Sequence, residues 1–289
     1  MKLKRTIAIF VCVAAVAYSP AVARVMEVSK WWGLPETPSL SWPNKSGTVA
    51  IGGARIWYAV FGEQNVKSIT LLHGGGANSD YWAYLARNLS YEYRVIVIDS
   101  RGHGRSTFGA QSLTYASMAN DVIAVLDYLK VERTAIVGWS DGANIGFYLT
   151  LKYPARISGH YAFAGNSNPG GMQAPPPDGA FHRFAARTPS EFKRISPVPS
   201  EFAKINAALL LMWKTQPHLS KNDLQKINVP TWIAHAQYDE VIREAHAREI
   251  AASIPNAKFV LLKEVSHFAL LQDVPQFNGS VQKFLQSLR

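Results

Sequence analysis

The stretch "AIVGWSDGAN" (residues 135–144) decides the fold. An apolar run, Ala135–Trp139, leads straight into Ser140, which is framed by Gly138 and Gly142. Behind it, "DGANIGFYLTLKY" (141–153) carries helical period until Pro154 stops it. The stretch therefore reads as strand, serine, helix. Glycine on either side removes side chains that would collide, so the serine can take a strained backbone conformation and present its Oγ. The turn also aims the N–H groups of a helix start at whatever approaches Ser140. A G-x-S-x-G spacing alone arises by chance, so the neighbours must decide whether this serine is a nucleophile or a small residue at a bend.

Working outward, the same kind of apolar run recurs at "SITLLH" (68–73), "RVIVID" (94–99), "RTAIVGW" (133–139), "GHYAFAG" (159–165), "PTWIAHA" (230–236) and "AKFVLL" (257–262). None alternates polar with apolar, as expected of parallel strands buried on both faces. Between the second and third, Met118, Val122, Val125, Leu126 and Leu129 mark one apolar helix face, and Phe277, Val281, Phe284, Leu285 and Leu288 mark another near the C-terminus. Alternating strands and helices imply an α/β fold: a mostly parallel sheet of about eight strands with helices on both faces. "TVAI" and "RIWYAVF", joined at Gly52–Gly53, read as a hairpin ahead of it. The core so defined covers 48–165 and 226–289. Residues 166–225 break the rhythm after the sixth strand. They open with "NSNPGGMQAPPPDG", then offer two helical segments with Thr188 and Ser200 as N-caps, and read as an inserted helical lid or as a long crossover. No solenoid repeat is visible.

Ahead of the core, "MKLKR", the apolar "TIAIFVCVAAVAY" and "AVA" have the order of a secretory leader, residues 1–23, so export to the periplasm or beyond is expected. An uncleaved N-terminal membrane anchor is the other reading of the same residues. The sole cysteine, Cys12, lies within the leader, so no disulfide is expected after it. Residues 24–47, rich in Pro, Ser and Trp, read as an extended lead-in whose Trp31, Trp32 and Trp42 either pack on the core, the reading preferred for tryptophan, or form a membrane-facing patch. The chain of 289 residues is 48% hydrophobic and 17% charged, which suits one large-cored domain. A net charge of +10 favours association with an anionic membrane surface, but its dispersal and the lack of any zinc-finger or RNA-binding signature argue against nucleic acid as a partner.

A serine hydroxyl needs a base, and the base needs an orienting carboxylate. Of eight histidines, His267 in "KEVSHFALL" follows the last strand and precedes the last helix; Asp239 in "IAHAQYDEVI" also follows a strand. Both therefore fall at the carboxyl edge of the sheet with Ser140. The glycine run of "LLHGGGANSDYW" (71–82) sits at that edge too. It lets the backbone approach a substrate, so the N–H groups of Gly75 and Asp141 are the expected oxyanion donors and Gly76 and Trp139 are candidate substrate contacts. It lacks the closing G-K-[ST] of a phosphate loop, and no H-E-x-x-H spacing occurs, so neither a cofactor nor a metal is expected. The Asp141 carboxylate has two readings: a partner for a substrate ammonium, or a cap for the helix it opens. Arg101 and His103, in the loop after "VIVID", bind substrate or build a turn.

Together, "HGGG", "DSRGHGRS" (99–106), "GWSDG", the post-strand Asp239 and the late "SHF" resemble, in order, the landmarks of the α/β-hydrolase superfamily over Gly47–Arg289. "GWSDG" and the position of the lid look like the branch of the biphenyl hydrolase-like (valacyclovir hydrolase) enzymes and the meta-cleavage-product hydrolases. The resemblance implies a serine hydrolase of small esters or amides. In it Asp239 orients His267, His267 takes the Ser140 proton, and an acyl-enzyme forms and is hydrolysed. It also admits a carbon–carbon hydrolase of ring-cleavage products, an aminopeptidase of the proline-iminopeptidase kind, and a non-catalytic ligand receptor. Phe181, Phe184, Phe192, Phe202 and Trp213 of the lid are the candidate acyl-pocket lining.

Overall fold

A computed structural model describes residues 29–288. The leader reading and the first five residues of the lead-in lie outside the described residues.

Eight strands, β1 Lys45–Ile51, β2 Ala54–Phe61, β3 Ser68–Leu72, β4 Arg94–Ile98, β5 Thr134–Trp139, β6 Ile157–Phe163, β7 Thr231–Ala236 and β8 Lys258–Leu262, form one sheet in the order β1-β2-β4-β3-β5-β6-β7-β8. β1 and β2 are the expected hairpin, and β2 joins β4 antiparallel; from β4 to β8 every pairing is parallel. The expected α/β architecture is thus borne out. Its physical basis shows in β4. Val95 and Val97 point into one core with Leu85, Leu89, Phe277 and Val281, while Ile96 and Ile98 point into another with Val122, Leu126, Ile145 and Leu149. Both faces of the strand are dry, so its sequence shows no alternation.

The helices are α1 Ala83–Leu89, α2 Tyr115–Tyr128, α3 Asp141–Lys152, α4 Ala180–Ile195, α5 Phe202–Thr215, α6 Lys221–Leu224, α7 Glu244–Ser253, α8 Ala269–Gln272 and α9 Val274–Gln286. α1 and α9 supply the first core, α2 and α3 the second. The links β5–α3, β7–α7 and β8–α8 all leave the sheet at its carboxyl edge, where the loops carrying Ser140, Asp239 and His267 converge. Among the described residues, no helix is long and apolar enough to cross a membrane.

Four local expectations need correction. β1 begins at Lys45 rather than after the lead-in, because the pairing Lys45↔Val60 continues the hairpin ladder without a break. Trp42 does not pack on the core; it is 92% exposed, whereas Trp31 stacks on Tyr238 at 4.6 Å. Thr188 caps no helix, since α4 starts at Ala180 and runs through Pro189. A proline inside a helix costs about 3 kcal/mol. Here the inward face of Phe184, Thr188, Glu191 and Phe192 outweighs that cost, and Thr188 turns its hydroxyl back to donate to the Phe184 carbonyl at 2.9 Å. Ser200 likewise lies in a short 3-10 turn, Pro199–Glu201, without capping α5.

Candidate active site

Ser140 sits between β5 and α3 at φ 54°, ψ −116°, a region L-residues avoid. The sequence makes this possible. A Cβ at Gly138 would collide with the Gly142 carbonyl, and one at Gly142 with the carbonyl of Leu72 on β3. Strain of this kind costs about 1–3 kcal/mol and persists only where the surroundings impose it. A bend needing only a small residue would not require it.

His267 and Asp239 come together as the chain order suggested. Both carboxylate oxygens of Asp239 face His267 Nδ1, at 3.0 and 3.1 Å. Asp239 Oδ1 also accepts the N–H groups of Val241 and Ile242, at 2.9 and 2.8 Å. Nδ1 therefore carries the hydrogen, which leaves Nε2 as the basic nitrogen. Burial opposes charge on both residues. On Asp239 the His267 charge and hydrogen bond outweigh burial and hold the carboxyl below its ordinary range. On His267 the carboxylate of Asp239, with Glu240 and Asp141 behind it, outweighs burial and holds the imidazole above its ordinary value.

Ser140 and His267 both line a small pocket of about 30 Å³ together with Gly74, Gly75, Trp139, Asp141, Phe181, Phe184 and Trp213. Such a space holds about two waters. No hydrogen bond joins Ser140 to His267 among the described residues. Asp141, as the first residue of α3, has no carbonyl one turn back for its N–H, and Gly75 lies directly against it. Gly76 is not part of this lining; its backbone lies beside Thr188 and Phe184 of α4, because its positive φ turns the loop away. Phe192 and Phe202 are also absent from the lining and stack on each other at 5.5 Å.

The Asp141 side chain caps nothing. Its Oδ1 accepts the Tyr115 hydroxyl at 2.7 Å, and Trp213 Nε1 donates to Oδ2 at 2.9 Å, tying α5 to the nucleophile turn. Burial pushes this carboxyl above its usual range, and the two donors partly offset the rise. Arg101 is fully buried in a bidentate pair with Asp121 at 2.6 and 2.9 Å, so it builds the turn and does not reach substrate. His103 bonds the Arg101 carbonyl at 2.9 Å, and burial drives its pKa down to about 4. Tyr115, Met172, Val241 and Ile242 line the cavity unforeseen. Only Val241 and Ile242, two and three residues after Asp239, carried a local signal. Among the described residues, no group of three or more His, Cys, Asp or Glu is placed to hold a metal ion.

Comparison with known proteins agrees with this fold. Residues 67–196 match the family model of the alpha/beta hydrolase fold. The chain is 26% identical over 269 residues to a bifunctional esterase/perhydrolase of Acinetobacter calcoaceticus, covering 81% of this chain and 97% of that one. It is 25% identical over 250 residues to a putative carbamate hydrolase of Caulobacter sp. (strain K31), covering 76% and 90%. The solved structure of Est816, described as an N-acyl homoserine lactone degrading enzyme, superposes with a TM-score of 0.64 at 28% identity, over 82% of this chain and all of that one. Fold, family match and relatives place the chain in the α/β-hydrolase superfamily. Within that class it is a hydrolase whose relatives include esterases and a lactone-degrading enzyme.

Proposed function

We propose that the protein is an exported serine hydrolase that cleaves small carboxylic esters through an acyl-enzyme, with Ser140 as nucleophile, His267 as base and Asp239 as its orienting carboxylate. One observation carries the proposal: a serine held at positive φ shares a small pocket with a histidine whose far nitrogen is fixed by a buried carboxylate. His267 Nε2 takes the Ser140 proton as Oγ attacks the ester carbonyl. The N–H groups of Asp141 and Gly75 receive the developing oxyanion, in a site where little water competes. The imidazolium, stabilised by Asp239, then gives its proton to the leaving alkoxide. Water enters and attacks the acyl carbonyl as His267 takes its proton; the bond to Oγ then breaks, the imidazolium returns the proton to Ser140, and the acid departs. Contacts of this kind are commonly loose in the free enzyme and tighten with substrate, which accommodates the missing Ser140–His267 bond.

The cavity's size requires helices α4 and α5 to shift on binding, which supports the lid reading of residues 166–225. Its apolar wall of Phe181, Phe184 and Trp213 suits an acyl chain better than a charged one. A lactone is a cyclic ester, so the relative's described activity falls within the same chemistry. The test is a series of p-nitrophenyl esters of increasing chain length, with a γ-lactone alongside. Hydrolysis that peaks at short chains and vanishes in Ser140→Ala is expected; flat rates at background throughout would overturn the ester reading. Export is tested by N-terminal sequencing of the mature protein, expected to begin at Arg24.

A further inference from the structure

The residue after the triad carboxylate meets His267 from a second direction. Glu240 Oε2 accepts the backbone N–H of His267 at 3.1 Å, while Asp239 holds the ring of the same residue. Two consecutive carboxylates thus grip one histidine at its main chain and at its side chain. The other oxygen, Oε1, is buried with no hydrogen-bond partner among the described residues. Leaving a carboxylate oxygen dry and unpaired is costly, and an amide or a backbone carbonyl would hold the loop without that cost.

We infer that Glu240 is a positioning residue for the base. Its acceptor oxygen fixes where the main chain of His267 stands, and its charge supports the imidazolium formed when Ser140 gives up its proton. This rests on the serine-hydrolase reading above. The charged groups facing Glu240 are Asp239 and His267. Burial and the Asp239 charge raise the Glu240 carboxyl, and His267, by its charge and its N–H, draws it back. On His267 the groups that favour the charged form are Asp239, Glu240 and Asp141, while His235 of β7, 4.0 Å from Asp239, is the other titratable group beside the pair and opposes it. Removing the Glu240 charge therefore lowers the pKa of the base, which then remains neutral and competent to lower pH.

Two substitutions separate the oxygen from the charge. Glu240→Gln keeps an acceptor for the His267 N–H and removes the charge, whereas Glu240→Ala removes both. The full-length protein is assayed for kcat and KM on p-nitrophenyl acetate across pH, with fluorophosphonate labelling of Ser140 run beside it. The Gln variant is expected to keep its plateau kcat/KM within about threefold while its acid limb moves to lower pH. The Ala variant is expected to lose about tenfold or more in plateau kcat with KM little changed, the size of one lost charge-assisted hydrogen bond. An acid limb unmoved in Glu240→Gln, or equal plateau losses in both variants, would overturn the role of Glu240 while labelled wild type left the hydrolase reading standing. Unlabelled wild type would overturn that reading, and the inference with it.

Discussion

Two Ser–His–acid arrays stand among the described residues, and the one whose serine and histidine are hydrogen-bonded is not the one we assign to chemistry. In the second array, Ser167 Oγ lies 3.3 Å from His246 Nε2, and His246 Nδ1 lies 3.6 Å from Glu249. That Nε2 also accepts the Ser167 N–H at 3.0 Å, so its lone pair is already engaged in holding the loop after β6. Glu249 is 76% exposed, where water screens it, and Ser167 has no positive φ. In the first array Asp239 is fully buried and takes two backbone N–H groups, and Ser140 is strained. Proximity of residue types is cheap. A reactive serine requires backbone strain, a base nitrogen left for the reaction, and a carboxylate kept from water.

The comparison is broken most directly by removing each serine. Ser140→Ala is expected to lower kcat/KM for a p-nitrophenyl ester by about 10⁵-fold or more, and Ser167→Ala to leave it within about twofold. The carboxylates come next. Asp239→Asn, which disturbs the tautomer of His267, is expected to cost about 10³–10⁴-fold, against no measurable loss for Glu249→Gln. If the exposed array proved the more sensitive of the pair, burial would not be the discriminating feature.

Smaller effects sharpen the contrast. His267 sits above its ordinary value of 6.5 and must be neutral to act as base, so kcat/KM should fall as pH drops through a midpoint above 6.5. Burial moves His246 the opposite way, so its titration should leave no mark on that limb. The smallest expected change is at α5. Trp213→Phe keeps an aromatic side chain but replaces the indole by a smaller phenyl ring and withdraws a donor from the buried Asp141 carboxylate. We expect a loss of about 1.5–3 kcal/mol in thermal or denaturant unfolding, with KM altered more than kcat.

What the sequence made legible was whatever burial writes locally. Val95–Ile98 and Ala135–Trp139 are apolar throughout because each strand is covered on both faces, and the glycines around Ser140 record steric need at one turn. Asp239 and His267 were found by their place after strands, since topology alone brings such loops to one edge. Other features left no such trace. The Tyr115–Asp141–Trp213 cluster joins three elements distant in sequence, so no period or spacing announces it. Pro189 signalled a helix start, yet the packed face of α4 carried the helix through it. Trp42 looked like core on residue type, but the chain between Ser29 and Lys45 is too short of regular structure to turn every tryptophan inward.

The most direct measurement is peptide mass spectrometry after reaction of the folded protein with a fluorophosphonate. A single adduct is expected on Ser140, absent in Ser140→Ala, undiminished in Ser167→Ala and slowed in Asp239→Asn. An adduct elsewhere, or none on folded wild type, would contradict it.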